Sequence, residues 1–198
     1  MATVAPPARR RMALAEFLAW EPDDPTGARW QLRGGVPERI PPAPEAHGAI
    51  LALLAAHLVE HARRTGGGGV RAAANVGLVP RLGTDREYRV ADLALTRAPP
   101  SDGHALPDPV AAFEVLSPGD EARTRANLAA HATIPTVAEV VLVHSLRVAA
   151  EVLRRSPDGT WPERPEALGP DDALRVECVG FTVPLRDLYR TTRLGAGG

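Results

Sequence analysis

Residues 45–64 carry helical periodicity, are closed at both ends by chain breakers, and lead into four short strand-like runs. This order restricts the chain to folds in which a helix covers a sheet. Pro41–Pro44 interrupts the chain before the helix. Leu51, Leu54 and Leu58 recur at about 3.6-residue spacing within it, and Gly66–Gly69 stops it. The runs 70–75, 77–82, 89–96 and 110–116 follow, the last closed by Ser117-Pro118-Gly119. Earlier, a short amphipathic helix is expected over 13–20. A hairpin is expected over 29–40, turning at Gly34-Gly35, which can adopt positive φ. Later, 124–131 reads as a helix and 139–144 with 148–155 as a second strand pair. A Pro-rich loop runs to Pro170, followed by a strand at about 174–178 and a short helix at 184–189. The pattern predicts an α/β (α+β) domain with a mixed central sheet flanked by helices. We expect one domain over 12–190, with a disordered tail at 1–11 and a flexible tail at 191–198.

Composition narrows the chemistry. All 23 basic residues are arginine, so no lysine nucleophile, lysine base or phosphate-binding P-loop lysine is available. Net charge is −1, so nucleic acid would have to be drawn by local arginine clusters rather than by a global field. Cys178 is alone, which excludes an internal disulfide and a CxxC metal site. Gly66–Gly69 lacks the strand before and the helix after that a phosphate-binding loop requires, and reads as a linker. The first residues have no apolar signal-peptide core, and residues 48–59, the most apolar stretch, are too short to span a bilayer. A cytoplasmic protein without a membrane partner is expected.

Asp92 and Glu114 stand 22 residues apart, with the turn-rich segment 97–108 centred between them. A symmetric hairpin would place them opposite each other on adjacent strands, about 5 Å apart at Cβ. Two opposed carboxylates repel unless neutralised, and a hard divalent cation such as Mg²⁺ neutralises them. Glu114 lies within the apolar run Ala111-Ala112-Phe113-Glu114-Val115-Leu116, so it needs a partner. Metal ligation is one reading; an ion pair with Arg89 or Arg125 is the other. His47 shares the helix face of Leu51, Leu54 and Leu58. It reads either as a phosphate or water contact beside the carboxylates or as a hydrogen-bonded structural histidine. His57 and His61 stand at i, i+4 on a helix, but no HExxH surrounds them, and His104, His131 and His144 show no metal-ligand spacing.

Several segments fall into a familiar order: AEFL; Trp30, Leu32 and Gly35 in W-x-L-x-x-G; His47; Val90-Ala91-Asp92-Leu93; Phe113-Glu114-Val115-Leu116-Ser117-Pro118; Thr124-Arg125-Ala126-Asn127; and Ile134-Pro135-Thr136-Val137-Ala138-Glu139. Over about residues 14–188 this resembles the Uma-type family of bacterial restriction-endonuclease-like proteins, in the PD-(D/E)XK nuclease superfamily. The resemblance implies a restriction-endonuclease-like fold and Mg²⁺-dependent hydrolysis of DNA, with Mn²⁺ as the alternative ion. Asp92, Glu114 and the Val115 carbonyl would hold the metal and His47 would support the site. Asn127 falls at or next to the position where the family tends to carry lysine, Gln31 replaces a glutamate usual in the first hairpin, and Ala91 replaces the proline of R-P-D. Asparagine can orient water or bind phosphate but supplies no positive charge and no base. Arg123 or Arg125 would restore the charge only. Two alternatives stand beside an endonuclease. One is a catalytically degenerate nuclease fold kept as a nucleic-acid or protein binding module. The other is a dimeric structural or regulatory protein using residues 140–143 at its subunit interface, although a buried strand accounts for that run equally well.

Overall fold

A computed structural model describes residues 11–66 and 69–195. Residues 1–10 of the expected N-terminal tail and 196–198 of the expected C-terminal tail lie outside the described residues, as do residues 67 and 68 of the glycine run. The order is α1 (Leu14–Leu18), β1 (Trp30–Arg33), β2 (Val36–Arg39), α2 (Glu45–Arg64), β3 (Arg71–Leu78), β4 (Arg89–Thr96), β5 (Pro109–Leu116), α3 (Glu121–His131), β6 (Glu139–His144), β7 (Ala150–Arg154), β8 (Glu166–Leu168), β9 (Ala173–Val176) and β10 (Phe181–Pro184). Short 3₁₀ turns cover Glu177–Val179 and Leu185–Tyr189.

β3 to β8 form one six-stranded sheet in sequence order. Neighbours are antiparallel except β5 and β6, which are parallel. A parallel pair needs a crossover, and residues 117–138, with α3 at their centre, supply it. β1–β2 and β9–β10 are separate antiparallel pairs. The alternation of side chains along each strand divides the core. Leu93, Leu95, Phe113, Val115, Val141 and Val143 face α2, where they meet Ile50, Leu54 and Leu58. Ala94, Ala112, Val140 and Leu142 face the other way and meet Leu128 of α3.

The structure departs from the strand expectations in three places. The run 70–75 continues into the start of the run 77–82 as one strand, β3, because Asn75 adopts a positive φ of 52° without breaking the ladder to β4; the strand ends at Leu78, and 79–82 lie outside it. The Pro-rich segment before Pro170 contains β8, which adds to the sheet edge, and Phe181–Pro184 pairs with β9. The run 140–143 is buried within this chain's own sheet. The body also extends beyond residue 190, since Thr192 is buried and Leu194 packs against the α2-side core. Among the described residues, no helix is long and apolar enough to cross a membrane.

Candidate active site

The β4–β5 register pairs Leu93 with Phe113, Ala94 with Ala112 and Leu95 with Ala111, and slips only at Thr96 beside the loop. Continued one step away from the loop, the same register sets Asp92 opposite Glu114. On the other side, β3 runs past Asp92 with Ala74 paired to Leu93 and Val76 to Ala91, which sets Asn75 opposite Asp92.

One cleft of about 260 Å³ collects the residues that the sequence singled out: Gln31, His47, Asp92, Glu114, Val115 and Asn127 all line it. Ser117, Arg123 and Arg29 join them there. Each element arrives for a local reason. α2 begins directly after the Pro41–Pro44 break, so His47 lies in its first turn with its ring toward the sheet end. The Ser117-Pro118-Gly119 turn reverses the chain out of β5, with Gly119 at φ 79°, and starts α3 over the cleft. The first hairpin adds Gln31 from β1.

The two carboxylates are held differently. Asp92 Oδ2 accepts the backbone N–H of Val115 at 2.8 Å, and Oδ1 lies 3.2 Å from His47 Nε2. His47 Nδ1 lies 3.0 Å from Ser117 Oγ. If Ser117 donates to Nδ1 and Nε2–H donates to Asp92, every atom of this chain is used once. The Val115 amide, Ser117 and His47 thus fix the Asp92 rotamer. Glu114 is only 4% exposed, and its Oε1 lies 2.9 Å from Nε2 of the fully buried His131. Burial and then the nearby Asp92 charge raise the Glu114 pKa well above the ordinary 4.5, while Arg123 and a hydrogen bond from Asn127 pull the other way. Burial, with Arg89 nearby, lowers His131 to about 3, so its ring is neutral near neutral pH. The pair is therefore a hydrogen bond rather than a salt bridge.

This corrects the arginine partner expected for Glu114. Arg89 is buried against Glu87 at 2.8 Å, and Arg125 is divided between Glu121 and Glu151, each at 2.9 Å. Asn127 donates to Gln31 Oε1 at 3.2 Å and receives a long 3.4 Å contact from Arg89, so it ties the first hairpin to the carboxylates. Arg123 pairs with Asp120 and lies within the electrostatic reach of Glu114, Asp92 and Glu38. Gln31 is opposed by Glu38, to which it donates at 3.2 Å.

Spacing rules missed His131, although helix periodicity held the signal. Thr124, Asn127, Leu128 and His131 occupy i, i+3, i+4 and i+7 of α3, and all are buried. Polar side chains on the stripe that carries Leu128 require buried partners. In the sequence Ser117 marks only a turn, and nothing local signals its bond to His47, 70 residues away.

The donor set suits a hard cation. Two carboxylates meet in a semi-enclosed cleft, where burial already holds one of them toward its neutral form. A divalent ion between them would offset the repulsion. Among the described residues, no three or more of His, Cys, Asp and Glu are grouped to enclose an ion. Mg²⁺ commonly takes one or two carboxylates and completes its shell with water and phosphate oxygens, which matches the pair present.

Comparison with known proteins agrees with the fold. A family described as "Uma2: Putative restriction endonuclease" matches residues 14–186. The crystal structure of a protein from Anabaena variabilis ATCC 29413, described as "a putative nuclease belonging to DUF820", superposes with a TM-score of 0.66. The two share 16% sequence identity, and the match covers 90% of this chain and 97% of that one. No curated protein matches.

Proposed function

The chain belongs to the Uma2 family of putative restriction endonucleases, and on that footing we propose that it hydrolyses phosphodiester bonds in DNA with a divalent metal, Mg²⁺ or Mn²⁺. The observation that carries this reading is the register that sets Asp92 opposite a buried Glu114 at the floor of one cleft. In this reading Asp92, Glu114 and the Val115 carbonyl hold the ion. When bound, it would supply Lewis-acid stabilisation of charge on phosphoryl oxygens and acidify a coordinated water. His47 and Ser117 keep Asp92 aimed. Arg123, at the start of α3, offers positive charge to a phosphate, and Asn127 supports Glu114. No amine side chain is available as a base, because the chain has no lysine. Arg123 therefore serves as a charge and not as a proton acceptor.

The test is cleavage of supercoiled plasmid and of a labelled oligonucleotide in Mg²⁺ and in Mn²⁺ by the wild type, Glu114→Gln and Asp92→Asn. Metal-dependent cleavage that either variant lowers by about 10²-fold or more is expected. Cleavage unchanged in both variants would remove the carboxylates from the mechanism.

One observation favours a second reading, a degenerate nuclease fold acting as a binding module. The amide of Asn127, at or next to the position where the family tends to carry lysine, is engaged by Gln31, Arg89 and Glu114. DNA binding indifferent to Mg²⁺, without cleavage by the wild type, would establish that reading. Cleavage regained by Asn127→Lys would locate the loss in that slot.

A further inference from the structure

Among the described residues, the side chain of His131 hydrogen-bonds to the site at Glu114, which it meets through Nε2 at 2.9 Å. Its ring is fully buried, and its Nδ1 has no hydrogen-bond partner among the described residues. An orphaned polar atom in a buried ring is costly, so a histidine maintained here purely for packing would be a poor choice: an apolar side chain would leave nothing unpaired. The contact with Glu114 is what distinguishes histidine at this position.

We propose that His131 is the positioning residue for Glu114: by holding Oε1 through Nε2 from the α3 side, it leaves the other carboxylate oxygen directed to Asp92 and the cleft. This rests on the metal-binding part of the proposed function and assigns a residue to it. Asp92 has the equivalent device in His47, so each carboxylate of the pair has one oxygen tied by an imidazole from a different helix. The two helices approach from opposite faces of the sheet, and the pair is clamped between them. Outer-shell partners of this kind fix ligand orientation, and their loss typically costs about 10–100-fold in metal affinity.

Two substitutions separate the two ring nitrogens. His131→Gln places an amide nitrogen near the position of Nε2, whereas His131→Asn reaches only as far as Nδ1. Mn²⁺ titration by calorimetry, with the melting temperature of each variant measured alongside, is the experiment. The expected result is wild-type affinity within about threefold for His131→Gln and a loss of about 10–100-fold for His131→Asn. Equal loss in both variants, following their melting temperatures, would make His131 structural and overturn the proposal. Wild-type affinity in both would overturn it as well, leaving the two-carboxylate metal site intact. Absence of Mn²⁺ binding by the wild type would overturn the metal reading itself and this proposal with it.

Discussion

Glu114 couples the site to pH. Its carboxyl titrates near 4.5 when exposed and well above that in the fold, because burial and the neighbouring Asp92 disfavour its charge. Between those two values the folded state holds a proton that the unfolded state has released, so raising the pH favours unfolding. The contribution is fully present below about 4.5 and is lost as pH rises through the folded value. In the metal-free protein, Glu114→Gln should remove this decline, and a melting-temperature series from pH 5 to 9 should be flatter for the variant. Parallel curves for the two proteins would show that Glu114 is ionised in the fold throughout. His131 gives the opposite slope over a lower window. The unfolded ring binds a proton below 6.5 and the folded one only near 3, so falling pH costs stability across that interval. Position numbers alone anticipated the carboxylate pair, since a regular antiparallel register keeps the sum of paired positions constant. They said nothing of the two imidazoles, because a contact between α3 and β5 depends on where the crossover lays the helix.

At the scale of elements, α2, β4 and β6 lie where the sequence placed them, and each has a local cause. α2 is bounded by prolines and glycines, and β4 and β6 are apolar runs closed by turns. β3 is different. Its glycine, Gly77, reads as a place where a strand starts or stops, yet it lies inside the strand under the ring of Tyr88. A Cβ there would overlap the Tyr88 ring, whose hydroxyl donates to the His104 carbonyl at 2.6 Å and whose centroid lies 5.5 Å from that of the tilted Phe17 ring. With the ring held at both ends, Gly77→Ala should destabilise the fold by about 1–3 kcal/mol. For a chain of this size that lowers the melting temperature by roughly 2–4 °C per kcal/mol. An unchanged melting temperature would mean that Tyr88 moves aside at no cost. β8 escaped detection because three residues between prolines carry too little pattern; it exists because β7 offers an unpaired edge.

For the molecule as a whole, net charge of −1 makes any attraction to nucleic acid local, and under the proposed function Arg29 and Arg123 supply the positive charge that lines the cleft. DNA affinity should therefore depend on salt with a shallow slope. Arg29→Gln and Arg123→Gln should each reduce the slope of log K against log salt by about one contact's share. Fluorescence anisotropy over a salt series measures this, and slopes unchanged in both variants would place the DNA away from the cleft.

What the sequence determined alone was the place of α2, β4 and β6, the carboxylate in an apolar strand and the absence of lysine, all properties of neighbours along the chain. It also carried enough family pattern across residues 14–186 to place the fold. Only the tertiary structure decided that His47 reaches Ser117, that His131 holds Glu114 and that Asn127 is tied to Gln31. Those contacts join residues 70, 17 and 96 positions apart. Their geometry is set by helices docking on opposite faces of a twisted sheet, and local periodicity carries no record of that docking.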